Sequence, residues 1–328
     1  MNRPITMISN QWLDLTLEEF CRVLTDLGYD GIELSEGHFN ARRAAECRDY
    51  AQEIKTLLHK NNLCCQAISA HLSGQCVGDL YDPRLDAFAP DRLKGQPEMI
   101  REWAIENVKS IAIAASNMDV QIVTGFMGSP VWKYWYSFPA TTGEMINGAF
   151  DEIYELWSPI FDVFDRVGVR FALEVHPTEI AFDYYTTQRL LERFAWRPTL
   201  GLNFDPSHLL WQGMDPVLFL RHFASRVYHV HLKDVAVNQD GLSSVLGSHL
   251  EFGDGRRGWN FRSLGRGQVD FESIIRELND AGYAGPLSVE WEDSSMNRLY
   301  GAKESLMFAR RMDFDASGIA FDMYMKNK

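Results

Sequence analysis

Three short apolar segments in the middle of the chain end in the same kind of polar residue, and that repetition constrains the fold more than any other feature. They read Arg170-Phe-Ala-Leu-Glu174-Val-His176, Leu200-Gly-Leu-Asn-Phe-Asp205-Pro-Ser-His208 and Val227-Tyr-His229-Val-His231-Leu-Lys233-Asp234. Side chains along a strand alternate between its two faces. On that period Phe171, Leu173 and Val175 take one face, and Ala172, Glu174 and His176 the other. Leu200, Leu202 and Phe204 oppose Gly201, Asn203 and Asp205; Tyr228, Val230 and Leu232 oppose His229, His231 and Lys233. A fourth segment repeats the pattern, with Leu287, Val289 and Trp291 against Ser288, Glu290 and Glu292. Strands that are apolar on one face and become acidic or basic at their C-terminal ends are what a (β/α)8 barrel uses to line its active site. Glu174, Asp205, His231 and Glu290 are therefore expected to converge on a metal ion.

The rest of the chain alternates in the same way. Strands are expected at 5–9, 31–35, 64–72 and 120–124. Helices are expected from Thr16 to Gly28, at 41–60, 98–116 and 143–167, near 184–195, 215–224 and 271–281, and at 299–311. Thr16 and Glu19 have the spacing of a capping box, and Gly28 is placed to stop that helix. Eight strand–helix units make one α/β domain over 1–312, with an apolar tail over 313–328 that covers a barrel or subunit surface. Long loops are expected after strand three (73–97), after strand four (an aromatic cluster from Gly125 to Phe138) and after strand seven. That last insertion carries Arg257 and Arg266, placed to reach over the site and grip substrate oxygens.

The net charge of -13 argues against a nucleic-acid partner, which needs a basic face. Five cysteines without metal-type spacing read as free thiols in a reducing, cytoplasmic compartment. No segment has the pattern of a signal peptide or a membrane span. The expected partner is a small sugar, with room for a homo-oligomer or a partner subunit.

Three carboxylates and one imidazole form a hard, oxygen-rich ligand set that suits Mn²⁺ first, with Mg²⁺, Co²⁺ or Zn²⁺ also compatible. Glu174 and Glu290 come from non-adjacent strands and can flank a bound carbon as base and acid. His176, His208 and Lys233 would orient or protonate substrate oxygens, and His71 would close the opposite wall with Glu33. His229 shares a face with His231 and could serve as the ligand in its place; its deeper position favours a supporting role, beside Glu33. Any one Glu or His at a strand end is more often a surface or ion-paired group than a ligand, so the weight rests on four matching positions together.

At Leu173-Glu174-Val-His176-Pro177, Asn203-Phe-Asp205-Pro-Ser-His208, His229-Val-His231-Leu-Lys233-Asp234, Gly265-Arg-Gly267 and Ser288-Val-Glu290-Trp-Glu292, the chain resembles the xylose isomerase-like superfamily of TIM barrels. Within it the likeness is to the sugar phosphate isomerase/epimerase family, and its loop lengths are similar to those of barrel proteins acting on 3-keto-glycosides. The resemblance implies one divalent ion on Glu174, Asp205, His231 and Glu290, with both glutamates as the acid–base pair and His208 on the substrate. The expected activity is isomerisation or epimerisation of a keto sugar, keto-cyclitol or 3-keto-glycoside through a metal-stabilised enediolate. The alternative is a lyase or deglycosidase that eliminates a substituent after the same proton abstraction. An apurinic-site endonuclease-like nuclease fits less well, because the chain offers ligands for one ion and is acidic. No phosphate-gripping feature stands out beyond the arginines of 256–266.

Overall fold

The computed structural model describes residues 3–238, 240–247, 249–319, 322, 323 and 325. Its strands are β1 (Ile5–Ile8), β2 (Gly31–Ser35), β3 (Cys64–Ala70), β4 (Ile122–Gly125), β5 (Arg170–Glu174), β6 (Leu200–Phe204), β7 (Val227–Leu232), β8 (Asp234–Val237), β9 (Trp259–Arg262) and β10 (Leu287–Val289). Eight of them close into a parallel barrel in the order β1, β10, β7, β6, β5, β4, β3, β2. β8 and β9 pair antiparallel as a separate hairpin inside the insertion that follows β7. Helices connect the barrel strands, so the fold is a (β/α)8 barrel.

Local chemistry explains the first connection. Thr16 accepts the N–H of Glu19, and the Glu19 carboxylate accepts the Thr16 N–H at 2.8 Å, which satisfies two donors at the start of helix Leu17–Leu27. The helix buries Phe20, Cys21 and Leu24 and ends at Gly28 in the left-handed conformation, φ 92°. The same period-2 logic buries Phe171, Leu173, Leu200, Leu202, Val230, Leu232, Leu287 and Val289 between strands and helices.

Three expectations need correction. The helix expected over 41–60 is two, Ala41–Glu46 and Arg48–Lys60, because Cys47 between them has extended dihedrals and serves as the C-cap of one and the N-cap of the next. The segment after β3 is not open loop: helix His71–Gly78 follows directly, then two 3-10 turns, then helix Pro97–Asn117. A Cβ on Gly74 would stand 2.1 Å from Phe126 O, and one on Gly78 2.4 Å from Met127 O. Those glycines let the helix lie flat against the loop after β4.

The third correction concerns Tyr228. The register of β6 on β7 slips between the pairs Leu202↔Val227 and Asn203↔His229, leaving Tyr228 in a bulge. Its ring then packs against Ala67, Ile122 and Ala172 inside the barrel floor instead of joining Val230 and Leu232 outside. Gly201 makes room for it, since a Cβ there would sit 2.2 Å from the ring and 2.6 Å from Arg226 O. Gly201→Ala should therefore destabilise the fold by about 1–3 kcal/mol, as overpacking does. Urea denaturation followed by circular dichroism measures it; an unchanged midpoint would mean that the floor is loosely packed.

The start of the tail docks on the barrel. Phe314 packs on the core, its carbonyl accepts Asn279 Nδ2 at 2.9 Å, and Arg276 lies over its ring. Ile319, Met323 and Met325 are exposed, and Phe321 and Tyr324 lie outside the described residues. All five cysteines are free thiols, and among the described residues no helix is long and apolar enough to cross a membrane.

Candidate metal centre and active site

The barrel brings the C-terminal ends of β5, β6, β7 and β10 to one place. Ligand atoms of Glu174, Asp205, His231 and Glu290 all lie within 4.8 Å of one another, and all four residues are buried. His231 Nδ1 stands 3.1 Å from Glu174 Oε2 and 3.1 Å from Glu290 Oε2. Asp205 Oδ1 accepts the Ser207 N–H and hydroxyl at 2.7 Å each, which leaves Oδ2 facing the centre. Asp205 Oδ2 and Glu290 Oε2 are fully buried and accept no hydrogen bond of good geometry, although His208 lies 3.4 Å from the first and Lys233 3.3 Å from the second. Buried carboxylate oxygens are costly unless something electropositive satisfies them. A divalent ion in this cluster would satisfy both, so the residues present fit the group that the ligand pattern implies.

A network behind His231 fixes which of its nitrogens points inward. Its Nε2 lies 3.0 Å from Glu33 Oε2, so Nε2 carries the proton toward Glu33 and Nδ1 is left for the centre. Glu33 is itself held by Thr124 Oγ1 and Ser288 Oγ, both at 2.6 Å, and by His229 Nε2 at 2.8 Å. His229 thus sits on Glu33, deeper in the barrel than His231. Burial favours the neutral acid at Glu33, but the His231 and His229 imidazoles outweigh it and hold the carboxyl well below its usual range.

The electrostatics of the centre follow the same contest. Burial opposes ionisation of Glu174, yet His208 and His231 hold it well below the ordinary value. Burial likewise opposes ionisation of Glu290, yet Lys233 first among the cations brings it down to about 2. Asp205 goes the other way: burial pushes it up to about 6 despite His208 and Lys233. His231 is raised well above the usual imidazole range, because Glu33, Glu290 and Glu174 overcome the cost of burying its charge.

His71, His208 and Lys233 complete the wall. His71 Nε2 lies 3.0 Å from Glu174 Oε2, and its Nδ1 lies 2.7 Å from Ser69 Oγ. His208 Nε2 stands 3.3 Å from Glu174 Oε1 and 3.4 Å from Asp205 Oδ2. Lys233 Nζ lies 3.3 Å from Glu290 and 3.2 Å from Glu292; burial alone would lower its pKa, but these carboxylates raise it, so it is cationic. The His176 ring packs 4.1 Å from that of His208, and burial together with His208 keeps it neutral.

Arg257 and Arg266 are not brought to the site. Arg257 donates to Leu250 O and Trp259 O and lies over the Phe252 and Trp259 rings, so it holds the insertion together. Arg266 pairs with Glu304 at 2.7 Å. The 263–269 turn that carries Arg266 wraps the Asp234 carboxylate, which accepts the N–H groups of Gly265, Gly267 and Val269. What the insertion does supply is Phe261, whose ring lies 4.1 Å below Lys233 Nζ and 5.4 Å from the His208 ring.

Several participants carry little sequence signal. Gln11, in a short turn after β1, donates to Glu290 Oε1 at 3.0 Å and Glu292 Oε1 at 2.8 Å. Asn203 Nδ2 lies 3.1 Å from Glu174 Oε2; its place on the inner face of β6, two residues before Asp205, was the available clue. Glu179 and Asp79 brace the loop after β4. Glu179 Oε2 accepts the N–H groups of Met127 and Gly128, and Asp79 accepts that of Ser129 at 2.8 Å.

Burial raises Glu179 well above its ordinary value and pushes Asp79 up to about 6. A carboxyl whose folded pKa is raised contributes stability that is present below its unfolded pKa and is lost as pH rises through the folded one. The Asp79 contribution should therefore decline between about pH 4 and pH 7, and Asp79→Asn should be more stable than the parent at pH 8 by roughly 1–3 kcal/mol. Urea midpoints across pH 4.5–8 measure this; parallel profiles for parent and variant would refute it.

A family model described as xylose isomerase-like TIM barrel matches residues 21–312. The chain belongs to that family. It is 26% identical over 310 residues to the uncharacterized protein YfiH of Bacillus subtilis, a match covering 89% of this chain and 93% of the other. It is 38% identical over 176 residues to an inosose dehydratase of Clostridium botulinum, covering 51% of this chain and 58% of that enzyme. Among solved structures it is similar to the 3-keto-D-glucoside 4-epimerase YcjR of E. coli, with TM-score 0.67, 14% identity, and coverage of 94% and 100%.

Proposed function

We propose that this family member is a divalent-metal-dependent enzyme that removes and returns a proton beside the carbonyl of a keto sugar, keto-cyclitol or 3-keto-glycoside, giving an isomer or epimer. The observation that carries this reading is the convergence of Glu174 and Glu290, from the non-adjacent strands β5 and β10, on His231 Nδ1, each at 3.1 Å. Two ionised carboxylates that converge on one point can serve the two faces of a carbon held between them. Glu174, Asp205, His231 and Glu290 would hold one ion, Mn²⁺ first among those that suit the donors. When bound, the ion supplies electrophilic stabilisation to substrate oxygens that gain negative charge.

The residues divide the remaining work. One glutamate takes the proton from the carbon next to the carbonyl, and the C–H electrons pass into the carbonyl as an enolate. The other glutamate, ionised at rest, takes up a proton from solvent or from the neighbouring His208 or Lys233 and delivers it to the opposite face or to the neighbouring carbon. Lys233, cationic and backed by the Phe261 ring, is placed to donate to a substrate oxygen, and His71 and His208 to orient hydroxyls.

A second reading, elimination, is favoured by the 38% identity to an inosose dehydratase. It begins with the same abstraction, after which the enolate electrons expel a β-hydroxyl that leaves as water with a proton from His208 or Lys233. Incubation of ketoses, inososes and 3-keto-glycosides in D2O with Mn²⁺, followed by mass spectrometry, separates the two. Deuterium in recovered substrate or an epimer supports the first reading, loss of water or of a substituent supports the second, and absence of both rejects proton abstraction.

A further inference from the structure

A cavity of about 590 Å³ opens beside the centre, walled by Leu72, Leu85, Phe88, Phe126 and Trp132. Clefts of roughly 300–1,000 Å³ take whole drug-sized ligands. None of Glu174, Asp205, His231 and Glu290 lines it, so it stands next to the reacting position and not over it. Two lining residues stand between the cavity and the centre. The His176 ring packs 4.1 Å from His208, and the Phe126 ring lies 4.6 Å from His71, both neighbours of Glu174.

The charged groups around this cavity are already satisfied. Asp82 pairs with Arg84 at 2.6 Å and with Lys133 at 2.8 Å, and Asp79 accepts the Ser129 N–H. The remaining surface is dominated by aliphatic side chains and aromatic rings, which favour flat apolar groups. Gln75 Nε2, a buried donor that makes no hydrogen bond of good geometry, can meet one sugar hydroxyl here and the rings can take one apolar sugar face, but most hydroxyls of a polyol would meet apolar walls.

Resting on the keto-carbohydrate reading above, we infer that the substrate carries a neutral, aryl-sized apolar substituent and that this cavity receives it. The sugar ring then sits at the carboxylates, and the substituent passes His176 and Phe126 to stack on Trp132.

Matched probes test this: methyl and phenyl 3-keto-β-D-glucopyranoside, titrated calorimetrically into the metal-loaded protein, with deuterium exchange of each followed separately. The phenyl probe should bind at least tenfold more tightly than the methyl one. Leu85→Trp, which fills the cavity, should reduce that ratio to near one, and Phe88→Ala, at a half-exposed wall position, should reduce it several-fold if the tryptophan variant does not fold. Equal affinities in the parent protein, or no binding of either probe, would overturn the subsite. A phenyl preference without exchange in either compound would support the subsite and reject the proton-transfer reading.

Discussion

Glu174→Gln and Glu290→Gln should each lower turnover by at least about 1,000-fold, within the range expected when a positioned acid–base group is lost, while leaving the fold intact. Glutamine keeps the length and shape of the side chain, so the packing around β5 and β10 has no reason to change. What disappears is a charge with several partners. Glu174 faces His71, His208 and His231, and Glu290 faces His231, Lys233 and Gln11. An amide can neither accept the proton nor offer the same ligand oxygen. Lys233 retains Glu292 at 3.2 Å in the Glu290 variant, so no cation is stranded in the site. Solvent-exchange rates measured beside net turnover then tell the two glutamates apart. A variant that still exchanges the substrate proton but forms no product has lost the group that returns it. A variant that does neither has lost the base. Parent-like turnover in either would remove that residue from the chemistry, and circular dichroism on both excludes unfolding as the cause.

The strand-end residues were legible because two independent regularities coincide in them. The period of two places Glu174, Asp205, His231 and Glu290 on inner faces, and the barrel sets the ends of those strands side by side. Neither regularity extends beyond the strands. Tyr228 escaped it because one bulge reverses the alternation, and the compensating absence of a side chain at Gly201 lies on a different strand. Gln11 reaches Glu290 from a turn with no period. Phe261 arrives on a hairpin outside the barrel, in an insertion whose arginines looked more chemically suited than its rings. Arg257 and Arg266 show the reverse error: their residue type suggested substrate oxygens, but Glu304 and backbone carbonyls occupy their donors. Asp79 and Glu179 were illegible because their partners are backbone N–H groups about 50 residues away, which have no sequence signature.

One divalent ion per chain should bind at this centre, and its affinity should fall steeply as pH drops through about 6. Ligands must be deprotonated to bind, so the ion competes with protons for them. Asp205, raised to about 6, is protonated below that value; His231, raised well above the usual range, must release its Nδ1 proton at any ordinary pH. The logarithm of affinity should therefore rise with pH with a slope near one above pH 6 and steeper than one below it. Glu33 sets the level of this curve by holding the Nε2 proton and turning Nδ1 to the centre. Glu33→Gln, which acts from behind the ligand, should weaken binding by roughly 10–100-fold, and His231→Ala by more than that. At an ion concentration 100 times Kd, loading should stabilise the parent by about 2.7 kcal/mol, so a thermal melt reports occupancy without any substrate. Chelation should abolish both the thermal shift and proton exchange, and readdition of Mn²⁺ should restore them together. If Asp205→Asn and His231→Ala bind the ion as the parent does, the ion is held elsewhere. The Glu290 oxygen would then be satisfied by protonated His231 at 3.1 Å and Lys233 at 3.3 Å, and the Asp205 oxygen by a proton or by His208 at 3.4 Å.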